Sequence, residues 1–172
     1  RPHILRDARH QVGGAVAERL ARGETEQHGA DREDGADLGH VEMDDFRKNL
    51  PDQDIPTGIA EQNMIGIAAG VALSGNRVFV FSITPFATMR CYDQIKVHCC
   101  YQNVGVVIIG VGAGYAYPLS GCTHPGIEDI AVMRALPNMR IYSPSNPLEA
   151  RLITEYLASQ SGPAYLRIGR GG

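Results

Sequence analysis

The sequence predicts an α/β domain built on a parallel β-sheet with helices on both faces. Three observations carry that expectation. The run NVGVVIIGV, residues 103–111, is apolar at nearly every position instead of every second one, as a strand buried on both faces should be. From residue 58 onward such runs alternate with helical stretches, which is the pattern of successive β-α units. Gly, Pro and Asn clusters punctuate the joins, so each element has a defined start and stop.

Taken in order, residues 6–22 read as a helix, with Val12, Val16 and Leu20 recurring every fourth position among charged neighbours. Residues 23–36 are polar and almost without aliphatic side chains, and read as a loop or a disordered stretch. Residues 46–50 make a short helix at best. Residues 58–75, GIAEQNMIGIAAGVALSG, form a helix that is apolar nearly all round. RVFVFSI, residues 77–83, is a strand, and residues 85–101 a helix with Pro85 in its first turn. The strand at 103–111 leads into a long loop, residues 112–126. A helix at 127–136, a strand at 139–144, a helix at 147–159 opened by Pro147, and a strand at 164–169 complete the order. No internal repeat or low-complexity tract interrupts it.

Composition bounds the function. A chain of 172 residues suits one domain, here residues 1–172, and 44% apolar residues can furnish its core. A net charge of -3 excludes a broad electrostatic footprint for nucleic acid. No apolar run approaches the ~18 residues of a membrane span, and RPHILRDARH lacks the apolar region of a secretory signal. The first residue is not Met, so the chain is expected to be processed or a fragment. Cys91, Cys99, Cys100 and Cys122 make a poor disulfide framework and point to a reducing compartment, the cytoplasm. With His98 and His124 they raise the question of zinc, but adjacent cysteines diverge and do not give the usual ligand spacing. Buried helix cysteines are the favoured reading, and no metal site is expected on this chain.

Ligands of such sheets bind beyond the carboxyl ends of the strands, which singles out the segments after Ile83, Val111 and Ile168. Glu61 stands at the mouth of an apolar helix. Desolvation there should raise its pKa and let it exchange a proton with a ligand nitrogen. On spacing alone a carboxylate that only complements the helix dipole is the simpler reading. His124, at the end of the long loop, can orient a substrate oxygen, although a lone loop histidine is by default a surface residue. Arg90 and Arg170 follow strands and can clamp an anion. GVGAG, residues 110–114, fails the dinucleotide spacing at its third glycine, and no phosphate-binding GxxxxGK[ST] string exists.

Together, GIAEQNMIGIAAGVALSG, SITPFATMRCYDQI, CYQNVGVVIIGVGAG and GCTHPGIEDIAVMRALPNMRIYSPSNPLEA resemble the pyrimidine-binding domain of thiamine diphosphate enzymes. The likeness is greatest to the C-terminal subunit of split transketolases and runs from about residue 37 to residue 172. The resemblance implies a shared site. The pyrimidine domain binds the aminopyrimidine ring of thiamine diphosphate, while a separate N-terminal subunit holds the diphosphate and Mg²⁺ through a GDG-type motif that this chain lacks. Glu61 matches the glutamate that hydrogen-bonds the pyrimidine N1′ and favours the imino tautomer. Phe86 matches the aromatic that stacks on the ring, and Asp37, in ADLG, an acidic residue near the cofactor. His124 matches a histidine that contacts cofactor and substrate hydroxyls. Arg170 matches an arginine that binds substrate phosphate, and Arg90 a conserved arginine beside it.

The implied activity is transfer of a two-carbon ketol unit from a ketose, such as a sugar phosphate, to an aldehyde, by a hetero-oligomer of heterotetramer type. Enzymes like deoxyxylulose-phosphate synthase or the β-subunit of 2-oxoacid dehydrogenases are alternatives, as is a non-catalytic binding module. The chain departs from the family pattern in three places. HGADREDG stands where a buried first strand would precede Asp37, Cys122 replaces a proline before Thr123, and the family's C-terminal domain does not follow.

Overall fold

The structure, a computed structural model, describes residues 48–169. The expected helix at 6–22, the polar stretch at 23–36, Asp37, Arg170 and the first part of the short helix at 46–50 lie outside the described residues; Lys48 and Asn49 are helical.

The sheet is parallel throughout, as the continuous apolar runs predict. Its strands are β1 (Val78–Ile83), β2 (Val106–Val111), β3 (Arg140–Tyr142) and β4 (Ala164–Ile168), in the spatial order β1-β2-β4-β3. The register sets Ile83 beside Val111 and Val111 beside Ile168, so three strand ends finish level. All of β2 is buried. Its side chains divide by strand alternation. Val106 and Ile108 join one core with Ile65, Ala68, Ile95, Met133 and Tyr165, while Val107, Ile109 and Val111 join a second with Ala150, Leu157 and Leu166. The sheet is thus the middle layer of three.

One outer layer contains α1 (Glu61–Leu73). It starts later than residue 58, because Gly58 has φ +67° and breaks the helical path. Small residues let α1 lie close to the sheet: Ala68, Ala69 and Ala72 face the core with Ile65. The segment after β1, expected as one helix over residues 85–101, is instead interrupted. It holds the short helices α2 (Thr84–Ala87) and α3 (Tyr92–Gln94), a tight turn at Met89–Cys91 between them, and a π-helical end at Ile95–Cys100. The break centres on Thr88, whose hydroxyl donates to the carbonyl of Thr84 at 2.7 Å. Such back-bonding competes with the helix ladder and bends it. Here it turns the chain so that Phe86 and Arg90 come to the strand ends.

The connection at 112–126 is a closed loop and not an open one. Gly114 and Gly126 exchange backbone hydrogen bonds at its base, and Pro118–Thr123 forms two short helical turns inside it, broken at Gly121, whose φ is +67°. Beyond it, α4 (Asp129–Arg134) is shorter than residues 127–136. α5 (Pro147–Ser159) begins and ends where Pro147 and the residues after Ser159 predict, with the Asn146 side chain accepting from the Glu149 N–H. α5 covers the second face through Ala150 and Leu157.

Candidate active site

The parallel arrangement places the start of α1, the end of β1 and the 112–126 loop at one rim of the sheet, and four of the six expected site residues meet there. Glu61 is the first residue of α1. Ala60 before it offers no side-chain cap, so the Glu61 carboxylate turns back toward its own backbone N–H. It is buried, at 8% exposure. Ser82, next to the end of β1, donates its hydroxyl to Oε1 at 3.2 Å. Arg90 donates from Nη1 to Oε2 at 2.8 Å. The Gln62 amide in turn donates to the Arg90 carbonyl at 3.1 Å and fixes that turn against α1.

The expectation that Glu61 has a raised pKa is overturned. Burial does push it up, but its own backbone N–H, the Arg90 guanidinium and the Ser82 hydroxyl outweigh burial and hold it below the usual carboxylate value. The carboxylate is a charged, gripped acceptor in the free chain. Arg90 is correspondingly engaged: its charge faces Glu61, whereas the sequence suggested a free clamp for an anion.

Phe86 sits beside this pair. The guanidinium carbon of Arg90 stands 3.9 Å from the centre of the Phe86 ring. The other neighbour of that ring is His124, edge to face at 5.0 Å, with Tyr117 beyond it at 6.2 Å. Thr123 Oγ1 lies 2.8 Å from His124 Nδ1, which orients the imidazole. His124 is therefore part of a ring cluster and half-buried, not a free surface histidine. Ser82 and Tyr117 were not singled out by sequence reasoning. Ser82 could have been found as the lone hydroxyl near the carboxyl end of an otherwise apolar strand, whereas Tyr117 carries no signal apart from its loop.

The buried cysteines agree with the simpler sequence reading: Cys91, Cys99 and Cys100 are buried, and Cys122 is exposed. Among the described residues no group of three or more His, Cys, Asp or Glu could hold a metal ion. No helix among them is long and apolar enough to cross a membrane.

The donor set can be tested against an aminopyrimidine directly. A guanidinium is flat, conjugated and rich in N–H groups, as such a ring is. Here one is bonded to Glu61 and stacked on Phe86 at once. The two residues therefore already present the in-plane acceptor and the stacking face that an aminopyrimidine requires, and the residues fit that group.

A carboxylate and an aromatic face thus stand side by side at the carboxyl rim of a parallel sheet. The chain belongs to the transketolase pyrimidine-binding domain family, whose model matches residues 13–172. It is 42% identical over 132 residues to an apulose-4-phosphate transketolase subunit of Phocaeicola vulgatus, a match over 77% of this chain and 42% of that protein. It is 36% identical over 125 residues to the 6-deoxy-6-sulfo-D-fructose transketolase subunit SqwH of a Clostridium species, over 73% of this chain and 39% of that one. A solved structure described as a split gene transketolase, inactive beta4 tetramer, superposes with a TM-score of 0.70 at 31% identity, over 98% of this chain and 52% of its own. The chain thus spans about two-fifths of the length of these curated relatives.

Proposed function

We propose that this chain supplies the pyrimidine side of a thiamine diphosphate-dependent, transketolase-like transferase, which moves a two-carbon ketol unit from a ketose to an aldehyde. The observation that supports this best is the Glu61 carboxylate, gripped by Arg90 and Ser82 beside the Phe86 face. The bound cofactor would supply the carbon nucleophile and the electron sink that such a transfer needs.

The chain's own residues have separate tasks. Glu61, held ionised, accepts a hydrogen bond from a ring nitrogen and so favours the protonated form of that nitrogen. Phe86 sets the plane of the ring. Ser82 fixes the carboxylate through Oε1, while Arg90, which holds Oε2 and covers the Phe86 face in the free chain, yields both to the ring. His124, oriented by Thr123, faces the substrate side and offers Nε2 to a hydroxyl or carbonyl oxygen. Arg170 is assigned to an anionic group of the substrate and Asp37 to the cofactor, both on the family pattern, and Arg90 borders the same substrate side.

A partner subunit carrying the diphosphate and Mg²⁺ belongs to this reading, in a hetero-oligomer of heterotetramer type within the cytoplasm. The similar solved structure, described as a split gene transketolase, inactive beta4 tetramer, favours a partner. Residues 1–172 are read as a single pyrimidine-binding domain.

The test is reconstitution. The chain is mixed with a candidate diphosphate-binding subunit, thiamine diphosphate and Mg²⁺, and transfer from a ketose phosphate to an aldehyde is followed. Glu61→Ala should abolish turnover while leaving the fold intact by circular dichroism. Wild-type turnover in Glu61→Ala would refute the catalytic role and leave a binding module as the reading.

A further inference from the structure

The strongest polar cluster outside the ring-binding residues lies beneath them. Asp129, the first residue of α4, is fully buried at 0% exposure. Its Oδ2 accepts twice, from the Tyr165 hydroxyl at 2.7 Å and from Arg167 Nε at 2.7 Å. Arg167 continues the chain of contacts by donating from Nη2 to the Gly126 carbonyl at 2.9 Å. Gly126 is two residues past His124 and closes the loop that carries it, through its paired hydrogen bonds with Gly114.

The same cluster reaches the other half of the site. Thr84, two residues before Phe86, faces the Tyr165 oxygen and donates to the Val111 carbonyl at 3.0 Å. Gly126 lies so close to Thr84 that a Cβ on it would stand 2.5 Å from the Thr84 methyl. The segment bearing Phe86 and the loop bearing His124 are therefore in mutual contact, and both are tied to one carboxylate oxygen.

We propose that Asp129 is a positioning residue for this site: by holding Tyr165 and Arg167 on a single oxygen, it sets the Phe86–His124 ring contact without touching either ring. Two features support this over simple core stability. Asp129 Oδ1 has no donor among the described residues, so the group carries a desolvation cost that an apolar pair would avoid. Local costs of this kind are retained mainly where a site has to be held in one geometry. The Tyr165 hydroxyl also stays protonated and able to donate, because burial together with Asp129 pushes it well above its ordinary value.

The inference rests on the proposed role of His124, but its test does not use activity. Histidine ring resonances of the chain are recorded by NMR, with the His124 signals assigned by their loss in His124→Gln. Spectra and thermal melts are compared for wild type, Tyr165→Phe, Asp129→Asn and Thr154→Val. The last removes a buried hydroxyl that bonds within α5, away from the site. The expected result is that Tyr165→Phe and Asp129→Asn shift the His124 signals, because the Phe86 ring moves relative to them, while the signals of His98 stay still. Thr154→Val should lower the melting temperature and leave His124 unmoved. If Tyr165→Phe lowers the melting temperature yet leaves His124 in place, or if Thr154→Val moves His124 as far, Asp129 is structural only and the proposal falls. Should Asp129→Asn fail to fold, Tyr165→Phe decides alone. Either way the reading of Glu61 stands or falls separately, on the reconstitution.

Discussion

Removing Arg90 should expose what its grip on Glu61 contributes. The two groups meet at 2.8 Å, with the Arg90 side chain 43% exposed and that of Glu61 10% exposed. Unit charges whose centres lie about 4 Å apart attract by about 4 kcal/mol at an effective dielectric near 20. Solvent on the arginine and the cost of fixing its long side chain reduce the net coupling to about 1 kcal/mol. For a chain of this length that corresponds to about 2–4 °C in Tm. The assay is a double-mutant cycle of Glu61→Gln and Arg90→Ala by urea denaturation. Arg90→Ala should cost more in the wild-type background than in the Glu61→Gln background, since in the first case it strands a buried charge. The pH dependence has a definite sign. The Glu61 pKa is lowered in the folded chain, so the pair's stabilisation is complete above the carboxyl's ordinary value and is lost as pH falls through the lowered one. In Arg90→Ala the burial of Glu61 is less opposed, its pKa rises, and the acid limb of any reconstituted activity moves to higher pH. A coupling smaller than about 0.3 kcal/mol, within ordinary additivity, would refute the ion-pair account. So would a coupling that does not change on acidification, because protonating Glu61 removes the charge that the account relies on.

Thiol chemistry and loop geometry give two further expectations. At neutral pH a disulfide reagent should react rapidly with Cys122 alone, because burial pushes Cys91 and Cys100 up to about 11 and Cys99 up to about 12. Cys122→Ser should remove the fast phase, and a fast phase that survives would contradict the burial of the other thiols. Gly112 has φ +84°, and a Cβ there would stand 2.1 Å from the Tyr117 ring edge. Gly112→Ala should therefore cost about 2 kcal/mol, read as a lower urea midpoint at unchanged slope, and should displace His124 through its Tyr117 neighbour. A midpoint equal to that of wild type would show that the loop tolerates another conformation.

What was legible in the sequence followed locality. The limits of α5 could be read because Asn146 and Pro147 act within one turn of themselves. The parallel sheet could be read because β2 carries its burial in its own composition. The interrupted helix after β1 could not be read as such. Residues 85–101 have helical composition throughout, and the break depends on where the Thr88 hydroxyl finds its acceptor. The sign of the Glu61 shift failed for a different reason. Its helix predicts desolvation, which is present, but the deciding charge comes from Arg90, 29 residues away and adjacent only through the fold. Asp129 was hidden differently. An acid at the start of a helix has a sufficient local explanation in the dipole, and nothing along the chain reveals that Tyr165 and Arg167, from β4, converge on it.

The corrected sign at Glu61 also narrows the chemistry. A carboxyl with a raised pKa, idle in a hydrophobic pocket, would rest protonated and act first as a donor. Glu61 rests ionised, between the Arg90 guanidinium and the Ser82 hydroxyl. It is therefore an acceptor at rest, and a ring nitrogen that approaches it is favoured in the form that carries a proton. For an aminopyrimidine that shift draws electron density from the exocyclic nitrogen toward the ring and makes the remaining N–H protons there more acidic. Of the two residues that hold the carboxylate, Arg90 is the more consequential. It is the one whose guanidinium also stacks on Phe86, so a change at residue 90 reaches both the acidity of Glu61 and the Phe86 face. The binding and titration effects of Arg90→Ala should accordingly appear together, whereas Ser82→Ala should affect titration alone.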